Sequence, residues 1–188
     1  MTREEDIKNA VEVLRKGGVI LYPTDTVWGI GCDATNEAAV KKVFAIKRRE
    51  EAKSMISLVD SADRLSRYVR NVPDVAWDMI EMATKPLTVI LDNVSGLAPS
   101  MIAEDGSAGF RVTSEEFSHE LCFRFQKPVV STSANISGEP TAKTFDAISD
   151  EIKNAVDYVV KYSQRCKEKH EPSSIIKISE NSEIKIIR

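Results

Sequence analysis

Apolar residues near the start of the chain recur at helical spacing: Ile7, Ala10, Val11 and Leu14 fall on one stripe between charged positions. Thr2 followed by Glu5 supplies a capping box and Gly17-Gly18 a stop, so the stretch predicts a helix. The pattern then changes period. Residues 19–22 and 27–30 are apolar runs around a polar knot, Pro23-Thr24-Asp25-Thr26, which a plain hairpin would not need, and the second predicted strand runs to about Cys32. Asn36 then caps a helix that turns Ala39, Val40, Val43, Phe44 and Ile46 inward and ends in Lys47-Arg48-Arg49.

The same alternation continues to the end of the chain. Residues 55–59 and 87–91 read as buried strands, with helices predicted over 61–68 and 73–83. A short strand at 109–112 precedes a helix from Ser114 to about Phe125; 129–133 is a strand entering a loop, and 158–160, 174–178 and 184–187 are further strands. Helices alternating with strands predict an α/β fold.

Composition narrows the classes. A length of 188 residues with 42% hydrophobic content fits one domain, residues 1–188, with a sizeable core. Lys and Arg number 26 against 29 acids, so the net charge of -3 argues against wholesale coating of nucleic acid while leaving room for a local basic cleft. No membrane-length apolar run and no signal-peptide layout stand out, which predicts a cytoplasmic protein. Cys32, Cys122 and Cys166 are odd in number and far apart, and read as reduced thiols. With only His119 and His170, a His-based metal site or catalytic triad has little material.

Five stretches carry candidate chemistry. Gly29-x-Gly31-x-x-Ala34 imitates a dinucleotide fingerprint, but that motif needs its glycines in a strand-to-helix turn, and here they lie inside the second strand. In "VVSTSANISGEPT" a β-branched strand runs into Ser131, Thr132, Ser133, Asn135, Ser137 and Gly138; small residues let backbone N–H groups approach an anion, although an ordinary turn uses the same residues. Lys47, Arg49 and Lys53 cluster at a helix end, which also suits a solvated terminus. Arg111 sits in an apolar strand, "GFRV", where burial without an anion would be costly. Finally, "HEPSSIIKI" puts Ser173 and Ser174 at the mouth of a strand.

Taken in order, "YPTDTVWGIG", Lys47-x-Arg49 with Lys53, "KPLTVIL", "GFRV", "STSANISGEP", "PSSIIKI" and the final "IIR" resemble the YrdC-like family, the threonylcarbamoyl-AMP synthases of tRNA modification. The resemblance covers nearly the whole chain. It departs from the family pattern in Trp28 for tyrosine, Ser54-Met55 for Pro-Leu, Thr113 for proline and Ser174 for threonine. It implies a twisted mixed sheet flanked by helices with a concave cleft, and condensation of L-threonine, bicarbonate and ATP, with Mg²⁺, to threonylcarbamoyl-adenylate and pyrophosphate. No enzyme nucleophile is then needed, because a carbamate on the threonine nitrogen can itself attack the α-phosphate.

The resemblance also assigns residues. Lys47 and Arg49 match the basic catalytic pair on the triphosphate; Lys53, Ser107, Ser133, Asn135, Thr141 and Arg188 join them on the nucleotide side. Thr26, Arg111, Ser131 and Ser173 match the threonine side, with Gly29 and Gly31 keeping the floor open. Lys47 and Arg49 are expected to be exposed. A tRNA or double-stranded RNA contact and a downstream threonylcarbamoyl transferase are the implied partners, with no membrane. An RNA-binding paralogue of the same fold is the competing reading; a carbamoyl-adenylate domain of the hydrogenase-maturation kind would need accompanying domains.

Overall fold

The computed structural model describes residues 1–49, 55–165 and 172–188. Helix α1 (Arg3–Arg15) leads into strands β1 (Ile20–Tyr22) and β2 (Gly29–Gly31), then α2 (Glu37–Lys47). After β3 (Ile56–Val59) come α3 (Asp74–Met82), β4 (Leu87–Leu91), β5 (Ala108–Val112), α4 (Glu116–Phe125) and β6 (Val129–Ser133). Helix α5 (Asp150–Ala155), β7 (Tyr158–Val159), β8 (Ser174–Ile178) and β9 (Ile184–Ile186) complete it. The strands form one mixed sheet in the order β7-β1-β2-β6-β3-β5-β4-β8-β9. The fold is the expected mixed α/β sheet.

Local signals explain the helix ends. The Thr2 hydroxyl accepts from the Glu5 N–H while the Thr2 N–H donates to Glu5 Oε2 at 2.8 Å, a complete capping box. Asn36 caps α2 through the Ala39 N–H. One expectation changes, and one helix is new. The stretch predicted as a helix over 61–68 is a 3₁₀ turn, Ala62–Arg67, whose buried Arg64 side chain closes back on Asp60 at 2.8 Å. Helix α5, capped by Ser149, had no strong apolar stripe to announce it; only its Ile152 is buried.

Register decides which residues face the same way, because cross-strand partners share a face of the sheet. Val130, Ser57, Phe110, Val89 and Ile176 form one buried row across β6, β3, β5, β4 and β8. The opposite face carries Ser131 beside Ile56, and Arg111 beside Thr88 beside Ile175. Phe110 enters the core, and so its neighbour Arg111 must point the other way.

The α2 stripe contains a surprise. Ala39, Val40, Val43 and Phe44 are buried as expected, but the next buried position is Lys47, whereas Ile46 is only partly buried. Lys47 is 1% exposed, which corrects the expectation of a solvated helix end. Its ammonium donates to the carbonyls of Ser133 (2.5 Å), the last residue of β6, and Asn135 (2.7 Å), just past it. Burial, and next the charge of Arg49, push its pKa down to about 8. The Ser137 N–H returns a bond to the Lys47 carbonyl at 2.8 Å, so the helix end and the loop hold each other.

Two predictions follow from this packing. A Cβ on Gly31 would lie 2.5 Å from the Val130 carbonyl and 2.6 Å from the Tyr22 ring, and Tyr22 is fixed by donating its hydroxyl to Val130 O. Gly31→Ala is therefore expected to lower stability by about 1–3 kcal/mol, read by chemical denaturation. Lys47→Met would leave two carbonyls without their donor, at a cost of about 2–4 kcal/mol. Thermal melting should fall by roughly 4–10 °C; an unchanged melt would mean that the loop does not need its lysine.

Candidate functional site

The polar knot between β1 and β2 is a self-bonded turn. The Thr24 hydroxyl donates to Val27 O at 2.7 Å and accepts from the Thr26 N–H at 3.2 Å, and the two threonine hydroxyls lie 3.1 Å apart. This holds Thr26 against β5, where Arg111 Nη2 donates to the Thr26 hydroxyl at 3.3 Å and pairs with Asp25 Oδ1 at 3.0 Å. Arg111 is 3% exposed and Asp25 8%. The sequence had raised the cost of a buried arginine without an anion, and the knot supplies the anion. Arg111 Nε is buried with no hydrogen-bond partner among the described residues.

Above this floor opens a cavity of about 510 Å³. Thr26, Arg111, Ser131 and Ser173 line it, and so do Ser133, Thr141 and Arg188. Members of both expected substrate groups therefore meet in one space. Ser173 is placed by its neighbours: its hydroxyl shares a 2.9 Å bond with Thr88, and its carbonyl accepts from Arg188 Nε and Nη2 at 3.3 and 3.1 Å. Gly29 lies on the wall, while Gly31 is covered by the Tyr22 ring and does not open the floor as expected.

Other expected site residues lie off the wall. Lys47 and the half-buried Arg49 do not line the cavity; Lys47 instead holds the loop after β6. Asn135 donates from Nδ2 to the carbonyls of Ile136 and Glu139, at 3.0 and 2.8 Å, so its side chain shapes the loop. Ser107 is buried and gives its hydroxyl to Asp105 at 2.6 Å, away from the cavity. Asp105 also takes the Lys177 ammonium at 2.7 Å, and these bonds hold its carboxyl down at about 2. Lys53, like Cys166 and His170, lies outside the described residues. Cys32 and Cys122 are buried free thiols whose pKa burial pushes well up, which leaves them unreactive.

Two polar wall residues escaped the sequence reading, beside the apolar Val27, Ile56, Pro172 and Ile175. Thr88 sits within the apolar strand "LTVIL", where a β-branched hydroxyl looks like packing; Lys143 lies past the quoted loop. Only Thr88's cross-strand register with Arg111 announces it. Among the described residues no three His, Cys, Asp or Glu side chains gather to hold a metal ion. The wall offers hydroxyls, amides and cations, a donor set suited to anions.

A family model described as "Telomere recombination", covering Sua5, YciO and YrdC, matches residues 12–188. A curated protein of Methanocaldococcus jannaschii, named putative threonylcarbamoyl-AMP synthase, is 38% identical over 97% of this chain and 87% of its own. A Vibrio cholerae threonylcarbamoyl-AMP synthase is 34% identical over 93% of this chain and 94% of its own. Among solved structures, P. abyssi Sua5 complexed with L-threonine superposes with a TM-score of 0.81 at 23% identity, covering 94% of this chain and 52% of that one. This chain thus spans about half of that Sua5. E. coli YciO gives 0.82 at 24% identity, over 100% and 89%. The chain belongs to the Sua5/YciO/YrdC family.

Proposed function

We propose that the chain is a threonylcarbamoyl-AMP synthase. The observation that carries the reading is the buried Arg111, which lines a cavity that a loop of small hydroxyl residues also lines and whose Nε is a donor without a partner among the described residues. A buried donor left unsatisfied costs about 1–3 kcal/mol, and a ligand carboxylate would remove that cost. Threonine fits: its carboxylate would meet Arg111, with Thr26, Ser131 and Ser173 around it. The names of the curated relatives and the threonine complex of Sua5 support the same reading.

The chemistry divides into two steps. The threonine amine attacks bicarbonate and water leaves, giving an N-carbamate; a carbamate oxygen then attacks the α-phosphorus of ATP, and pyrophosphate departs. Both steps ask for positioning and charge stabilisation rather than an enzyme nucleophile. The backbone and hydroxyls from Ser131 to Thr141 would cradle the nucleotide, with Arg188 on the far wall. Mg²⁺ would enter as part of the nucleotide substrate, on its phosphates. The product is a mixed anhydride open to hydrolysis. Such a product needs an acceptor nucleophile, and a transferase acting on tRNA adenosine is the consuming reaction that fits this reading.

Mass spectrometry of the full chain with ATP, L-threonine and bicarbonate tests the reading. Threonylcarbamoyl-adenylate and pyrophosphate are expected only when all three are present; pyrophosphate formed equally without threonine would overturn it. Arg111→Lys keeps a charge beside Asp25 but loses the planar fork. Its threonine KM is expected to rise by the equivalent of about 1.5–3 kcal/mol, with the ATP KM little changed. Steady-state kinetics with each substrate varied in turn decides this, with a thermal melt on the variant; a raised ATP KM beside an unchanged threonine KM would move Arg111 to the nucleotide.

A further inference from the structure

The cations around the cavity differ in what already holds them. Arg111 is paired with Asp25, Arg188 donates to the Ser173 carbonyl, and Lys47 donates to two carbonyls of the β6 loop. Lys143 is on the cavity wall and exposed, and among the described residues it makes neither a hydrogen bond nor an ion pair. It projects from a segment secured on both sides. Upstream, Asn135 ties the chain to the Glu139 carbonyl; downstream, the Phe145 ring packs 4.8 Å from the Trp28 ring, and the Lys153 ammonium lies 4.9 Å from the Phe145 ring centroid. Ala142, next to Lys143, is buried. The backbone is therefore fixed while the lysine side chain is not.

We propose that the Lys143 ammonium contacts the terminal phosphates of the bound nucleotide, the part that leaves as pyrophosphate; this rests on the synthase reading and adds a residue to it. One observation and two chemical arguments choose phosphate over the threonine carboxylate. Lys143 leaves the same loop as Ser133 and Thr141, whereas the unpartnered donor suited to a carboxylate, Arg111 Nε, lies at the floor on β5. A compact charge on a flexible stem fits several phosphate oxygens but lacks the fork that pairs with a carboxylate. Lastly, a cation without an internal partner can follow the leaving group out of the cavity, which the cations held inside cannot do. Lys143 would bind the pyrophosphate part in both the substrate and the product.

Calorimetric titration of the full chain with inorganic pyrophosphate, ATP and AMP tests this on wild type, Lys143→Met and Lys143→Arg. Lys143→Met is expected to weaken pyrophosphate and ATP binding by about threefold to tenfold, leave AMP unchanged, and melt like wild type because the side chain is exposed. Lys143→Arg should keep the affinity, and the loss should shrink as salt is raised. Equal weakening of AMP and pyrophosphate would overturn the proposal, as would unaltered binding of all three or a wild type that does not bind pyrophosphate. The two readings fail separately. If Lys143 controls pyrophosphate affinity but no threonine adduct ever forms, the synthase reading falls and the phosphate contact stands; if the adduct forms and Lys143→Met binds pyrophosphate normally, only the contact falls.

Discussion

Arg111 and Asp25 place opposite full charges 3.0 Å apart where neither side chain is more than a tenth exposed. Taking two ions out of water costs several kcal/mol each, and their attraction offsets this only when the geometry is held from outside. Here β5 holds the arginine and the knot between β1 and β2 holds the aspartate. That knot must therefore be rigid, which accounts for Thr24 bonding to both Val27 and Thr26. The pair joins two strands that are not neighbours in the sheet, with β6 and β3 between them. Both Arg111 and Thr26 line the cavity beside this pair.

The opposite requirement shapes the loop after β6. A loop that presents amides and hydroxyls to an anion cannot also fold its carbonyls inward without a donor to meet them. Lys47 is that donor, brought from the end of α2, and Asn135 adds two more bonds within the loop. Cations of the same formal charge thus have different work: Lys47 is consumed by the scaffold, Arg111 is half consumed, and Lys143 has no partner among the described residues. Sequence distance does not sort them. Their hydrogen-bond partners do.

This division also bears on how the family pattern is read. Motif residues near one another in the chain, such as Ser133, Asn135 and Thr141, separate in space into wall and support: Ser133 and Thr141 line the cavity while Asn135 braces the loop. Ser107 has a buried hydroxyl too, but it donates to Asp105, which in turn takes the Lys177 ammonium, on a separate cluster.

Periodicity by itself determined most of the elements, because an apolar stripe at helical spacing and short β-branched runs between turns have few other ways to be buried. The ends of α1 and α2 were legible for a local reason: Thr2, Glu5 and Asn36 act on backbone within a turn of themselves. That Arg111 would turn away from Phe110 was legible from strand alternation. The 3₁₀ turn at 62–67 was not, since a short apolar pattern does not separate it from an α-helix. Even Lys47 left a trace, four residues after Val43 and three after Phe44, on the buried stripe of its own helix. What reached that lysine, which aspartate neutralised Arg111, and which hydroxyls met in one cavity were decided by tertiary structure. Each depends on contacts between residues tens of positions apart, and nothing in the local sequence carries the register that brings them together.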